Sequence, residues 1–230
     1  MNLKILSLLI IEVCILLPDV CYAFFSKDVH LLNMQNGLAD NTVSAVYKDK
    51  EGFIWFGTRN GLSRYDGRRI TNFERSRSYP SISNLKEVFD GVLAFVDNGV
   101  FSAFDLKKER FLSVVSSSGQ GIPSRGMLQR NDSLVWVISG SELHLMKRCA
   151  SKEGELRLRV QEKYTGWNNQ DNLLVAITYS SDKKSICLID EKGRIILLDA
   201  TNLNSFRVID LGRTGSLSVN SVLYDDGRIW

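Results

Sequence analysis

A structural unit recurs along this 230-residue chain at close to one fixed length, and that recurrence limits its fold more than any other feature. In the clearest copy, residues 41–66, an apolar strand runs into an acidic-Gly turn at Asp49 to Gly52. A second strand follows at Phe53 to Thr58, then a turn at Arg59-Asn60-Gly61 and a third strand ending at Tyr65-Asp66. Asn-Gly is the strongest short hairpin signal, because both central residues of the tight turn must accept positive φ. Weaker copies follow at residues 92–105, 134–146 and 185–199, and a last one starts at Val222. Aligned on one position, they read Trp55, Leu93, Trp136, Cys187 and Trp230, at intervals of 38, 43, 51 and 43 residues. That is the length of a four-stranded propeller blade.

Between the turns the chain is strand-like throughout. Apolar runs of four to six residues, rich in Val, Ile, Phe and Leu, alternate with Gly, Asn, Asp and Ser, and only three Pro are present. No long segment keeps a 3.6-residue apolar period. The run Phe53 to Phe56 has no polar alternation, so both faces of its strand require cover, which radial stacking between two neighbours supplies. A β-sandwich would place polar residues at every second position. The fold expected is therefore all-β, a β-propeller of four blades plus the start of a fifth.

The first 23 residues stand apart. Lys4 gives a basic start, Ile5 to Leu17 is apolar except for Glu12, and Pro18-Asp19 ends the run before Cys21-Tyr22-Ala23. Thirteen residues fall well short of the roughly 20 that a membrane helix needs, so residues 1–23 read as a secretory signal peptide. The alternative is an N-terminal helix of a cytosolic protein. Asp19-Val20 makes a poor lipobox for an anchor at Cys21. Residues 24–230 are then the mature, secreted propeller chain.

Charge excludes some functions. With 29 Lys+Arg against 26 Asp+Glu the formal charge is +3, and no Lys/Arg run or basic stripe marks a nucleic-acid partner. Two His and four Cys without a Cys-x-x-Cys pair give no zinc site, and no phosphate or Ca²⁺ loop occurs. Neither a metal nor a cofactor is expected. Beyond the leader only Cys149 and Cys187 remain. An oxidising compartment would let them pair, but Cys187 lies in an apolar strand and suits a buried free thiol.

No catalytic set emerges. His30 and His144 neighbour no Ser, Cys or Asp motif of known spacing, and Asp49 with Glu51 flanks a turn rather than a glycosidase cleft. Trp55, Trp136 and Trp230 share the repeated position and belong to the core. Trp167 is different: it stands with Asn168 and Asn169 in a polar loop, where an aromatic face with amides nearby would suit a sugar. The competing reading tucks it against a blade. Arg59, Asn60 and Arg64, in or after the first-blade turn, could meet a ligand at a propeller face or be solvated turn residues.

The span from Gly37-Leu38 and Asn41 through Asp49, Gly52, Trp55, Gly57, Gly61, Tyr65, Asp66 and Gly67 resembles the two-component regulator propeller repeat. That repeat fills the periplasmic sensor of Bacteroides-type hybrid two-component histidine kinases. The resemblance implies two seven-bladed propellers, an immunoglobulin-like connector, a membrane helix and a kinase in the intact protein. This chain would be an N-terminal fragment of the first propeller, its residues 24–230 an incomplete, periplasmic propeller with no catalysis of its own. The expected partners are an oligosaccharide ligand, the remainder of the sensor kinase and a homodimer mate, with the membrane reached only through the missing C-terminal part. Two rivals remain: a secreted propeller enzyme of lyase or glycosidase type, and a structural propeller that binds another protein.

Overall fold

Within a blade, strand-forming runs separated by two- to six-residue turns leave each strand next to its sequence neighbour, and that is what the computed structural model shows. It describes residues 31–74, 82–167, 172–210 and 212, together with the backbone of 224–225 and 228–229. The leader expected at 1–23, Asn168, Asn169 and Trp230 lie outside the described residues. From Asn33 onward the chain is one compact unit.

Blade 1 comprises β1 (Val43–Lys48), β2 (Ile54–Thr58), β3 (Gly61–Tyr65) and β4 (Ile70–Glu74), antiparallel in sequence order. Blade 2 repeats this with β5 (Ile82–Phe89), β6 (Val92–Asp97), β7 (Val100–Asp105) and β8 (Arg110–Ser116). Blade 3 has β9 (Gly126–Asn131), β10 (Leu134–Ser139), β11 (Glu142–Cys149) and β12 (Glu155–Tyr164). Blade 4 has β13 (Leu174–Tyr179), β14 (Ser185–Asp190), β15 (Ile195–Asp199) and β16 (Phe206–Ile209). A short hairpin, β17 (Tyr224–Asp225) with β18 (Arg228–Ile229), follows where a fifth blade was expected.

The innermost strands β1, β5, β9 and β13 neighbour one another in that order. Blades 3 and 4 are each tied to the blade before by a backbone hydrogen bond. Ser124 N donates to Gly99 O at 2.8 Å and Leu174 N to Gly140 O at 2.9 Å, so the linker into a blade caps the preceding blade's β-turn. Between blades the seams are apolar. Trp55, Leu62, Ile82, Phe95 and Phe104 fill the first, Ala94, Phe101, Met127, Val137 and Leu158 the second, and Trp136, Ile138, Ile177, Ile186 and Leu198 the third. On the far face of blade 4, Ala176, Cys187, Ile189 and Ile195 form a fourth buried group.

The structure corrects the alignment in blade 2. Trp55, Trp136 and Cys187 each lie three residues before the end of the blade's second strand, and all three are at most 1% exposed. In β6 that place is held by Ala94, not Leu93. A shift of one residue turns a strand side chain to the other face. Leu93 accordingly packs back into the first seam, while Ala94 faces the second.

The same seam departs from simple stacking. Blades 2 and 3 are fused into one eight-stranded sheet because β12 pairs parallel with β8, from Glu155↔Ser113 to Leu158↔Ser116. The longest spacing in the sequence, 51 residues after Trp136, includes the extended hairpin of β11 (8 residues) and β12 (10 residues) that reaches across. Ala94 stands in this seam at the position where blades 1 and 3 carry Trp.

Candidate functional site

The acidic-Gly turn of blade 1 is held by one carboxylate. Asp49 Oδ1 accepts from the backbone N–H of Glu51 (3.0 Å) and Phe53 (2.9 Å), and its Oδ2 accepts from the buried indole Nε1 of Trp55 at 2.8 Å. This explains the spacing of Asp49, Gly52 and Trp55. The carboxylate shapes the turn, Gly52 takes its positive φ of 94°, and the strand that follows presents the indole back to the same carboxylate. Trp136 meets its need differently, donating to the Tyr179 hydroxyl of blade 4 at 3.1 Å. Gly57 is required by proximity, since a Cβ there would lie 2.5 Å from Ile82 Cγ2.

Arg64 pairs across the ladder with Trp55, and its guanidinium lies over three rings, 4.9 Å from the Phe53 centroid and 5.5 Å from both Trp55 and Phe73. Its Nη1 donates to Glu109 of blade 2 at 2.7 Å. Lys50 makes a second bridge across this seam, to Glu87 at 3.3 Å. Together they rim a cleft of about 480 Å³ between blades 1 and 2. The equivalent cleft between blades 3 and 4, about 350 Å³, has Arg130 over Trp136 at 5.7 Å, donating to Ala200 O at 3.0 Å. Tyr164 lines it too; burial, then its hydrogen bond to Glu162, pushes its hydroxyl up to about 12. Each of these seams thus carries an arginine stacked on the blade tryptophan and clasping the next blade's last turn.

The sequence-derived candidates do not converge. Arg59 and Asn60 occupy the β2–β3 turn, about 10 Å along the hairpin from Arg64 and at its other end. Asn60 Nδ2 donates to Ala39 O at 3.0 Å and so fastens the segment before β1. Arg59 is exposed. Trp167 is 7% exposed and packs in the third seam, edge-on to Phe206, so its ring is part of the core and not an open platform. Cys149 and Cys187 are both free, and burial pushes the Cys187 thiol up to about 12. Glu109, Arg130 and the charged turns of blades 2 and 3 were not singled out from sequence. Lys107-Lys108-Glu109-Arg110 and Lys152-Glu153-Gly154-Glu155 were the available signal.

Residues 37–60 match the profile of the family described as two component regulator propeller. The chain carries a two component regulator propeller repeat. That match takes in Asp49, Gly52, Trp55 and Gly57, the residues whose contacts build the first blade. Among solved structures, the extracellular domain of a protein described as a hybrid two component system from B. thetaiotaomicron superposes with a TM-score of 0.60 at 16% identity. The match covers 80% of this chain and 24% of that one. The extracellular domain of one described as a one component system from the same organism gives 0.64 at 16% identity, over 88% and 30%. The β-propeller domain of Cps50 (Swd1) from Myceliophteria thermophila gives 0.51 at 15%, over 76% and 57%. These likenesses establish the propeller fold, and the chain spans less than a third of the two B. thetaiotaomicron domains. No curated protein matches it. Among the described residues, no helix is long and apolar enough to cross a membrane.

Proposed function

We propose that the chain is part of a periplasmic sensor in a hybrid two-component system, which detects an oligosaccharide and sets the activity of a kinase across the membrane. The observation that carries this reading is the regulator propeller repeat built into blade 1, with its Asp49–Trp55 clamp. The similar folds of two bacterial extracellular domains support it. In this account the homodimer and the kinase belong to the rest of the protein, and the propeller supplies the ligand surface.

Among the described residues first considered as ligand contacts, Arg64 lines a cleft between blades. Preorganised by its aromatic bed and bonded to Glu109 by one nitrogen, it keeps other N–H groups for a ligand hydroxyl or ring oxygen. A ligand that bridges two blades binds their relative placements with unequal affinity, and that difference is what a sensor transmits. The test is in-frame removal of codons 33–210 from the gene, with transcription of the regulated locus followed on a panel of glycans. Loss of the response to one glycan class is expected. An unchanged response to every glycan overturns the reading.

A further inference from the structure

The seam between blades 2 and 3 differs from its neighbours in charge and in the strand pairing that crosses it. On the face that carries the β7–β8 and β11–β12 turns it holds a hollow of about 440 Å³. Five cationic side chains line it: Lys107, Lys108 and Arg110 from blade 2, and Arg148 and Lys152 from blade 3. Four carboxylates share the lining, and each is already engaged. Asp105 Oδ1 accepts the backbone N–H of Lys107 and Lys108, both at 3.0 Å, and so shapes the turn. Glu155 accepts two N–H bonds from Arg157, and Asp90 pairs with Lys107 at 3.1 Å.

Glu153 is the telling one. It sits 70% exposed on the blade-3 turn, yet its Oε1 accepts from both Lys108 (2.8 Å) and Arg110 (3.0 Å) of blade 2. An exposed surface carboxylate is therefore drawn to two cations of the neighbouring blade. Arg110 also has a buried Nε that makes no hydrogen bond. Oxyanions suit such a site, because charge-assisted bonds to Arg and Lys are about twice as strong as neutral ones. The platform is also fixed in advance. The β8–β12 pairing, with Ser113 N donating to Gly154 O at 2.9 Å, locks the two blades at this rim. By contrast, five carboxylates face three cations in the cleft between blades 1 and 2, which disfavours an anion there.

We propose that the blade 2–blade 3 hollow is an oxyanion subsite that takes the carboxylate or sulfate group of a soluble acidic saccharide, with Glu153 competing for the same cations. The proposal rests on the reading of the chain as a saccharide sensor and gives the ligand its charge.

The test titrates the full chain with glucuronate, glucose 6-sulfate and glucose at one fixed ionic strength, followed by NMR shifts. At least one acid is expected to bind about tenfold or more tightly than glucose, the two acid arms telling carboxylate from sulfate. Glu153→Gln, which removes the internal competitor, should tighten acid binding about two- to fivefold, the range of exposed ion pairs. Lys107→Ala with Lys152→Ala should weaken it; both side chains are at least 75% exposed, so the fold is spared. Equal affinity for glucose and both acids overturns the proposal, as does acid binding that Glu153→Gln leaves unchanged. Binding to anionic phospholipid vesicles with no response to the soluble acids overturns it too. If neutral saccharides bind as well as the acids, the acidic ligand fails and the sensor reading stands. If no saccharide binds, acidic or neutral, both fail.

Discussion

Removing the Asp49 carboxylate tests the first blade's design where sequence and structure meet. Asp49→Ala deletes three hydrogen bonds: two from the turn N–H groups and one from an indole only 1% exposed. The turn faces solvent, so water replaces part of the first two, at about 0.5–1 kcal/mol each. The indole N–H has no such recourse, and leaving it unpaired costs about 1–3 kcal/mol. The expected loss is thus about 3 kcal/mol. With a urea m-value of about 2 kcal/mol/M, the midpoint falls by about 1.5 M. Asp49→Asn keeps an oxygen for the turn but turns an amide N–H₂ toward the indole, so only the second part is lost, about 1–3 kcal/mol. In a Trp55→Phe background that same change should cost under about 0.5 kcal/mol, since the group it leaves unpaired is gone. Urea unfolding of the four variants, followed by tryptophan fluorescence, reads all of these. A cost below about 0.5 kcal/mol for Asp49→Ala, or an equal cost of Asp49→Asn in both backgrounds, would refute the clamp.

Gly57→Ala forces a Cβ against Ile82 on the next blade's innermost strand, and overpacking of this kind costs about 1–3 kcal/mol; an unchanged unfolding midpoint counts against the close approach. Because burial holds the Cys187 thiol protonated up to about pH 12, a maleimide at pH 8 should label Cys149 in the native chain and reach Cys187 only on unfolding. Equal labelling rates would contradict the buried position. The hydrogen bond from His144, with Lys163 beside it, holds the Glu142 carboxyl below its usual 4.5. A depressed folded-state value gives stability that is complete above 4.5 and is lost as pH falls through the lowered one. Glu142→Gln should therefore flatten the loss of stability below pH 4.5, and a parallel acid profile would remove Glu142 from the account.

The period of the blades and the place of their second strands were legible because a turn chemistry and one large side chain recur together. Trp55 and Trp136 announce themselves, and the Asp49–Gly52 turn fixes the register beside the first. Blade 2 lacks such a marker. Between Leu93 and Ala94 the sequence of β6, apolar on both faces, cannot choose, and the one-residue slip followed. The fused sheet of blades 2 and 3 was equally hidden: a long interval after Trp136 was visible, but not that its extra length would pair with β8. Trp167 was open to two readings because a polar flank describes only the neighbours of a residue in sequence. Its actual surroundings, Phe206 and the third seam, come from 39 residues further along and from two blades. The clefts between blades have the same origin: Arg64 meets Glu109, and Arg110 meets Glu153, across 45 and 43 positions.

The central claim is that ligand bound by these blades changes a kinase on the far side of the membrane. Its most direct measure is phosphate incorporation from labelled ATP into the whole protein in membrane vesicles, with and without the glycan to which transcription responds. The account predicts a glycan-dependent change in autophosphorylation that disappears when residues 33–210 are removed. Phosphorylation indifferent to the glycan, or a response that survives the deletion, would contradict it.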